Sequence, residues 1–295
     1  MSRTSSSQTA STRQPSRLRS AIRFLLFALA GALLFGAAQA QNELNAVLTR
    51  GSLATQPLIV GDGFRPLNLV NQNNETTIFS VYRLKNDASL DTFVAANEAL
   101  EEATEADRGA QAAIEELAAT ASALSGVSVS KHSSKTMLVD MDRGTYVIAA
   151  TPKSGGAVTY STFEVVGGGE SAAGPQVPNE VDFSDFAFDF PTEVDAGVNL
   201  WKVSNTGTQP HVADFYRLLP GRTVDDLIAY LDGDGGARAP YDETATIAMV
   251  GAGETVYVPV DLKAGDWVAL CFVPDMDNPE LTHVMEGMVS EFRVQ

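Results

Sequence analysis

LNLVNQNNETTIFSVYRL (Leu67–Leu84) and WKVSNTGTQPHVADFYRL (Trp201–Leu218) lie far apart in one chain of 295 residues. Laid side by side without a gap, Asn71 falls on Asn205, and Tyr82-Arg83-Leu84 falls on Tyr216-Arg217-Leu218. Just beyond, SLDTFVAA (Ser89–Ala96) falls on TVDDLIAY (Thr223–Tyr230). A further block, TMLVDMDRGTYVIAATP (Thr136–Pro152), is similar to TVYVPVDLKAGDWVALCF (Thr255–Phe272), with Gly144 on Gly265, and the halves end in STFEVV and SEFRVQ. Several short blocks repeated in the same order are the mark of a duplicated unit. Between the copies lies VVGGGESAAGPQVPNE (Val165–Glu180), whose glycine, proline and small polar residues read as a linker.

Each copy reads mostly as strands. VDFSDFAFDF alternates apolar and polar residues from Val181 to Phe190, as one half-buried strand does. TVYVPVDL and DWVALCFV are short β-branched and aromatic runs bounded by Gly, Pro or Asp. Many short strands with turn signals between them predict an all-β fold, two tandem Greek-key β-sandwich domains. A short helix follows each Tyr-Arg-Leu strand, with Thr223 and Asp226 as a capping pair on the right. On the left this point expands into an Ala/Glu-rich stretch, about residues 89–126, with Leu90, Phe93, Val94, Leu100, Ile114, Leu117 and Leu124 at helical spacing. It predicts two helices with a break near Arg108-Gly109 and a stop at Gly126. The expected organisation is residues 41–166 for the first domain, 167–180 for the linker and 181–295 for the second.

The N-terminus bounds the compartment. Arg3, Arg13, Arg17 and Arg19 precede the apolar run AIRFLLFALAGALLFGA, and AQA follows. Basic region, apolar region and A-x-A site predict a Sec-type signal peptide over residues 1–40, with an uncleaved anchor as the alternative. No cysteine lies near the site for lipid attachment, and no Arg-Arg pair supports twin-arginine export. The expected localisation is periplasmic or extracellular, with no membrane span after cleavage. Removing residues 1–40 takes away five arginines and moves the formal charge from −17 to −22. Such a charge argues against nucleic acid and anionic lipid as partners; it reads first as a solubilising surface and also admits a cationic protein partner.

One cysteine and three histidines are all the chain has. Cys271 cannot form an internal disulfide, and in an oxidising compartment a lone thiol calls for burial or a bound metal. The stretch CFVPDMDNPELTHVMEGM (Cys271–Met288) adds His283, Met285 and Met288, and His211 stands on a strand sixty residues earlier. Two imidazoles, one thiolate and one weak thioether are the donors of a mononuclear copper electron-transfer site. DGDGG (Asp232–Gly236) lacks the ligand spacing and closing Glu of a calcium loop. No G-x-S-x-G, phosphate loop or pair of catalytic carboxylates stands out.

The right half resembles a cupredoxin, the domain type of plastocyanin, azurin and the copper nitrite reductases. N-x-G-x-x-x-H (Asn205, Gly207, His211), a cysteine closing the penultimate strand, and H-x-x-x-G-M (His283–Met288) carry the resemblance, in the family order His, Cys, His, Met. It implies one copper ion held by His211, Cys271 and His283, with Met288 axial and Met285 as the alternative axial donor. Asn205 would brace the ligand strands from outside. The gap between Cys271 and His283 is eleven residues, longer than in the smallest members of the family. On the left, Thr77 stands where the right has His211, Ala150 stands for Cys271, and no His or Met follows Ala150 before the linker. The left half is expected to be a degenerate copy without this copper, and His132 a surface residue. The resemblance implies an exported one-electron carrier with a redox or copper-handling protein partner. A periplasmic copper-holding or delivery protein and a metal-free binding or envelope protein are the alternatives. Catalytic coppers need further histidines, and only His132 remains, so the expectation is that the chain is not an enzyme.

Overall fold

A computed structural model describes residues 43–85, 88–105, 110–167, 174–234 and 236–295. The leader read over residues 1–40, the break at Arg108-Gly109 and the middle of the linker lie outside the described residues. Among the described residues no helix is long and apolar enough to cross a membrane.

Among the described residues the left half holds nine strands: β1 Leu44–Thr49, β2 Ser52–Gln56, β3 Ile59–Gly61, β4 Gly63–Asn71, β5 Thr77–Leu84, β6 Ala121–Val129, β7 Ser133–Met141, β8 Gly144–Pro152 and β9 Thr159–Val166. Helices α1 (Leu90–Glu105) and α2 (Ala110–Thr120) sit between β5 and β6. The right half repeats this series: β10 Asn179–Ser184, β11 Ala187–Asp189, β12 Glu193–Val194, β13 Gly197–Asn205, β14 His211–Leu218, β15 Tyr241–Val250, β16 Thr255–Leu262, β17 Gly265–Leu270 and β18 Val289–Val294. A single helix, α3 (Val224–Leu231), replaces the pair.

Two sheets result, ordered β11-β10-β13-β16-β7-β4-β1-β2 and β12-β18-β17-β14-β15-β6-β5-β8-β9-β3. Each reads the same from either end once nine is subtracted from the right-hand labels. The duplication seen in the sequence is therefore a duplication of topology, down to the parallel pairs β1·β4 and β10·β13. The two sandwiches are joined edge to edge. β7 meets β16 at Val139↔Val256 and Leu138↔Tyr257, and β6 meets β15 at Leu124↔Val250. Strand edges that would otherwise be open pair with the other copy. Glu43–Gln295 is accordingly one compact unit, with a core cluster that runs through both halves.

Matching details sit at matching places. Gly144 and Gly265 both have φ +150, a backbone conformation that favours glycine, at the start of β8 and β17. Two residues on, the Tyr146 hydroxyl donates to Asp142 O at 2.9 Å, and the Trp267 indole N–H donates to Lys263 O at 2.8 Å. Each ring is thus buried with its polar atom satisfied.

Two expectations need correction. Val181–Phe190 is a hairpin, not one strand: Asp182 pairs with Asp189 and Ser184 with Ala187 across a turn at Asp185-Phe186. Alternation continues through a two-residue turn, so it did not show the break. The helical insertion ends at Thr120, not at Gly126. Ala121–Val129 is extended and pairs along β5. Its small residues pass as helix formers, but Gly126 lies against β5, where a Cβ would run into the Phe79 carbonyl oxygen. The capping pair at α3 forms as expected: Thr223 Oγ1 accepts from Asp226 N at 3.2 Å, and Asp226 Oδ2 accepts from Thr223 N at 3.1 Å. His132 is exposed, with Nε2 3.0 Å from Asn74 Oδ1.

Candidate metal centre

His211 opens β14 and pairs with Val250 of β15, next to a register shift before Ala213. Cys271 follows the last residue of β17, and its N–H donates to Met288 O at 3.3 Å. The eleven residues between Cys271 and His283 do not carry the two ligands apart. Val284 N donates to Cys271 O at 2.8 Å, His283 N to Val273 O at 2.9 Å and Asp275 N to Leu281 O at 2.9 Å. The two ends of the loop are laced together, and the extra residues bulge outward beyond the Pro274↔Thr282 bridge. Gly287, at φ +99, turns the chain back, and Met288 N donates to His283 O at 2.8 Å.

His211, Cys271 and His283 bring one ligand atom each within 4.8 Å of one another. His211 Nδ1 and His283 Nδ1 are 2.9 Å apart, and Cys271 Sγ is 3.4 Å from His283 Nδ1. All three side chains are fully buried, and so is Met288. Met285 is 65% exposed and lines a surface cavity with Ile228, Leu231 and Phe272. Of the two methionines offered as axial donor, Met288 is the one buried with Cys271.

Burial sets the charge state of these groups. Desolvation, helped by the neighbouring His283, pulls His211 down to about 4, against the pull of the Asp185 carboxylate. His283 is lowered as well, again by desolvation. Desolvation pushes the Cys271 thiol up to about 11. Near neutral pH the pocket holds two neutral imidazoles and a thiol. A soft cation would take the imidazole lone pairs and displace the thiol proton. A His₂Cys set with a buried thioether fits copper better than magnesium or calcium, which prefer oxygen.

The left half is an internal control. Phe79 pairs with Ala150 across β5·β8, while Ala213 and Cys271 stand one rung beyond the Asp214↔Leu270 pair of β14·β17. The large, fully buried side chain is Phe79 on the left; the right half has Ala213 there, beside its thiol. Among the described residues, Thr77 is buried with no hydrogen-bond partner for its hydroxyl.

The same control clarifies Asn205. Its Nδ2 donates to Gln209 O at 2.8 Å and Val250 O at 2.9 Å, and its Oδ1 accepts from Gly207 N at 2.9 Å. Asn71 on the left donates to Glu75 O at 2.8 Å and Val129 O at 3.0 Å and accepts from Asn73 N at 2.9 Å. The ligand-free copy keeps the whole motif. Asn205 ties the turn before His211 to Val250 of β15, and Asn71 makes the equivalent bonds in the left half, so this is a framework feature of both halves.

Sequence reasoning missed Asp185 and Gln209. Asp185 Oδ1 lies 3.3 Å from His211 Nε2, and the carboxylate accepts from Thr208 N, Thr208 Oγ1 and Gln209 N. Although desolvation opposes it, the hydrogen bonds from Thr208 hold this carboxyl below its usual range. A Cβ at Gly207 would strike the same carboxylate, which gives the glycine of N-x-G-x-x-x-H its reason. Gln209 Oε1 lies 3.0 Å from His283 Nε2. Asp185 was hidden by the single-strand reading of Val181–Phe190, and Gln209 sat at an unspecified position of the motif.

No family model matches the chain, and no curated protein does. Among solved structures, a reduced auracyanin from Roseiflexus castenholzii is similar at 21% identity over 39% of this chain and 94% of its own, with a TM-score of 0.27. A multicopper oxidase from Campylobacter jejuni is 9% identical over 78% of this chain and 53% of its own, TM-score 0.24. A copper-containing nitrite reductase from Thermus scotoductus is 13% identical over 86% of this chain and 60% of its own, TM-score 0.23. Likeness at these TM-scores carries no residue role or activity to this chain. It does correct one expectation: proteins similar over most of this chain include enzymes, so the exclusion of an enzyme, drawn from histidine counting, is withdrawn.

Proposed function

We propose that the right half binds one copper ion through His211, Cys271 and His283, with Met288 as the weak fourth donor, and passes single electrons. The observation that carries this reading is the convergence of two imidazole Nδ1 atoms and one thiol in a fully buried pocket. The thiolate and imidazoles can hold both copper oxidation states, and the copper would supply the one-electron change. The chain itself holds the ligands still: the β14·β15 ladder fixes His211, and the laced loop ends fix Cys271 and His283. That rigidity keeps the geometry alike in both states.

The same lacing favours a redox carrier over a copper-delivery protein, which needs a loop that opens. Export by the N-terminal leader and a cationic redox partner belong to this proposal, supported by the leader pattern and the net charge of −17. The test is copper(II) titration of the protein lacking residues 1–40, with metal analysis and visible spectra. One copper per chain and an intense thiolate-to-copper band, absent in Cys271→Ser, are expected. No bound copper would end the proposal.

A further inference from the structure

His283 is gripped on the side of its ring away from the other donors. Its Nδ1 faces His211 and Cys271, and its Nε2 lies 3.0 Å from Gln209 Oε1. Two neighbours fix which way the Gln209 amide points. The Met276 backbone N–H can only donate, and it is 2.8 Å from Gln209 Oε1. The Asp275 carboxylate accepts, and its Oδ1 is 2.9 Å from Gln209 Nε2. A flipped amide would set donor against donor at Met276 and acceptor against acceptor at Asp275. Oε1 therefore accepts from both Met276 and His283.

An amide oxygen cannot donate, so the proton of the neutral His283 ring belongs on Nε2. A neutral imidazole has one lone pair, which is left on Nδ1, facing Cys271 and His211. The opposite tautomer would place a proton where a metal must bind. Gln209 is 6% exposed and Asp275 5%, so the grip is an interior one. It is braced from the other half of the chain, because Gln111 of α2 donates from Nε2 to Met276 O at 2.8 Å. The helical insertion of the left half thus touches the ligand loop of the right half one residue from the Gln209–Asp275 bond.

We propose that Gln209 is the positioning residue of this centre: through Met276 and Asp275 it fixes the His283 ring with its proton on Nε2 and keeps Nδ1 ready as a ligand. The consequence for copper rests on the metal-binding reading above, whereas the proton position is a property of the metal-free protein. Outer hydrogen-bond partners of metal-bound histidines are worth about 10–100-fold in metal affinity.

The experiment compares the full chain lacking residues 1–40 with Gln209→Met, which keeps the length and removes the acceptor, and with the double variant Gln209→Glu/Asp275→Asn, which keeps an acceptor toward His283 and puts a donor where Asp275 accepts. Long-range nitrogen–proton NMR of the metal-free proteins reads the His283 tautomer. Competition with a copper(I) chelator then reads metal release. The wild type should show the Nε2–H tautomer. Gln209→Met should show Nδ1–H or a mixture and lose copper about 10–100-fold faster. Gln209→Glu/Asp275→Asn should restore the Nε2–H form. An Nδ1–H wild type, or a Gln209→Met protein with the wild-type tautomer and release rate, would overturn the proposal. Failure of the wild type to bind copper would overturn the metal reading instead, and the tautomer result would still decide the role of Gln209.

Discussion

Replacing Asn71 and Asn205 one at a time by alanine should damage the two halves equally. Each side chain is buried, donates two hydrogen bonds to backbone carbonyls and accepts one from a backbone N–H. Three lost bonds at about 1 kcal/mol each come to roughly 3 kcal/mol, and a buried carbonyl left without a donor adds about 1–3 kcal/mol. Val129 O on the left and Gln209 O and Val250 O on the right are the carbonyls most exposed to that penalty, since their bonds to Asn71 and Asn205 are the fully buried ones. A cost of about 4–6 kcal/mol in a chain of this size lowers the melting temperature by roughly 10 °C or more. Circular dichroism melts of the metal-free variants, with urea midpoints as a second reading, measure it. The two variants should agree within about 1 kcal/mol, because each removes two bonds to backbone carbonyls and one from a backbone N–H. If Asn71→Ala cost less than about 1 kcal/mol while Asn205→Ala cost the full amount, Asn205 would be a device of the metal half, and its reading as common framework would be wrong.

Three further outcomes follow from the geometry. His211 is held at about 4 in the folded protein against an ordinary 6.5, so between those pH values the unfolded chain takes up a proton that the folded one refuses. Stability should fall as pH drops from 6.5 toward 4, by up to roughly 3 kcal/mol, and level off below that window. The slope between pH 7 and 5 in denaturant titrations of the metal-free protein should flatten in His211→Leu. Gly126→Ala should destabilise by about 1–3 kcal/mol in the same titrations, because its Cβ meets a backbone oxygen of β5 that cannot swing aside. Thr223→Ala should cost only about 0.5–2 kcal/mol by the loss of one cap, with the visible spectrum of the copper-loaded protein unchanged.

The repeat was legible because duplication leaves matched residues in matched order. Asn71 with Asn205 and Gly144 with Gly265 were paired in the sequence and have the same geometry in the structure. The donor set was legible because imidazole and thiol are scarce in this chain, and their scarcity made the pattern readable. What stayed hidden depends on pairing across the sheet. Alternation from Val181 to Phe190 does not reveal a turn at Asp185, because a two-residue turn keeps the period of two. Ala121–Val129 has the composition of a helix end, and only its ladder with β5 makes it a strand. Gln209 is an ordinary polar residue until Met276 and Asp275, both contributed by a distant loop, orient its amide.

X-ray absorption at the copper edge of the loaded protein tests the central claim most directly. The account predicts copper bound by one thiolate sulfur and two imidazole nitrogens, with the sulfur signal gone in Cys271→Ser. A copper environment of oxygen and nitrogen alone, unchanged by Cys271→Ser, would contradict it.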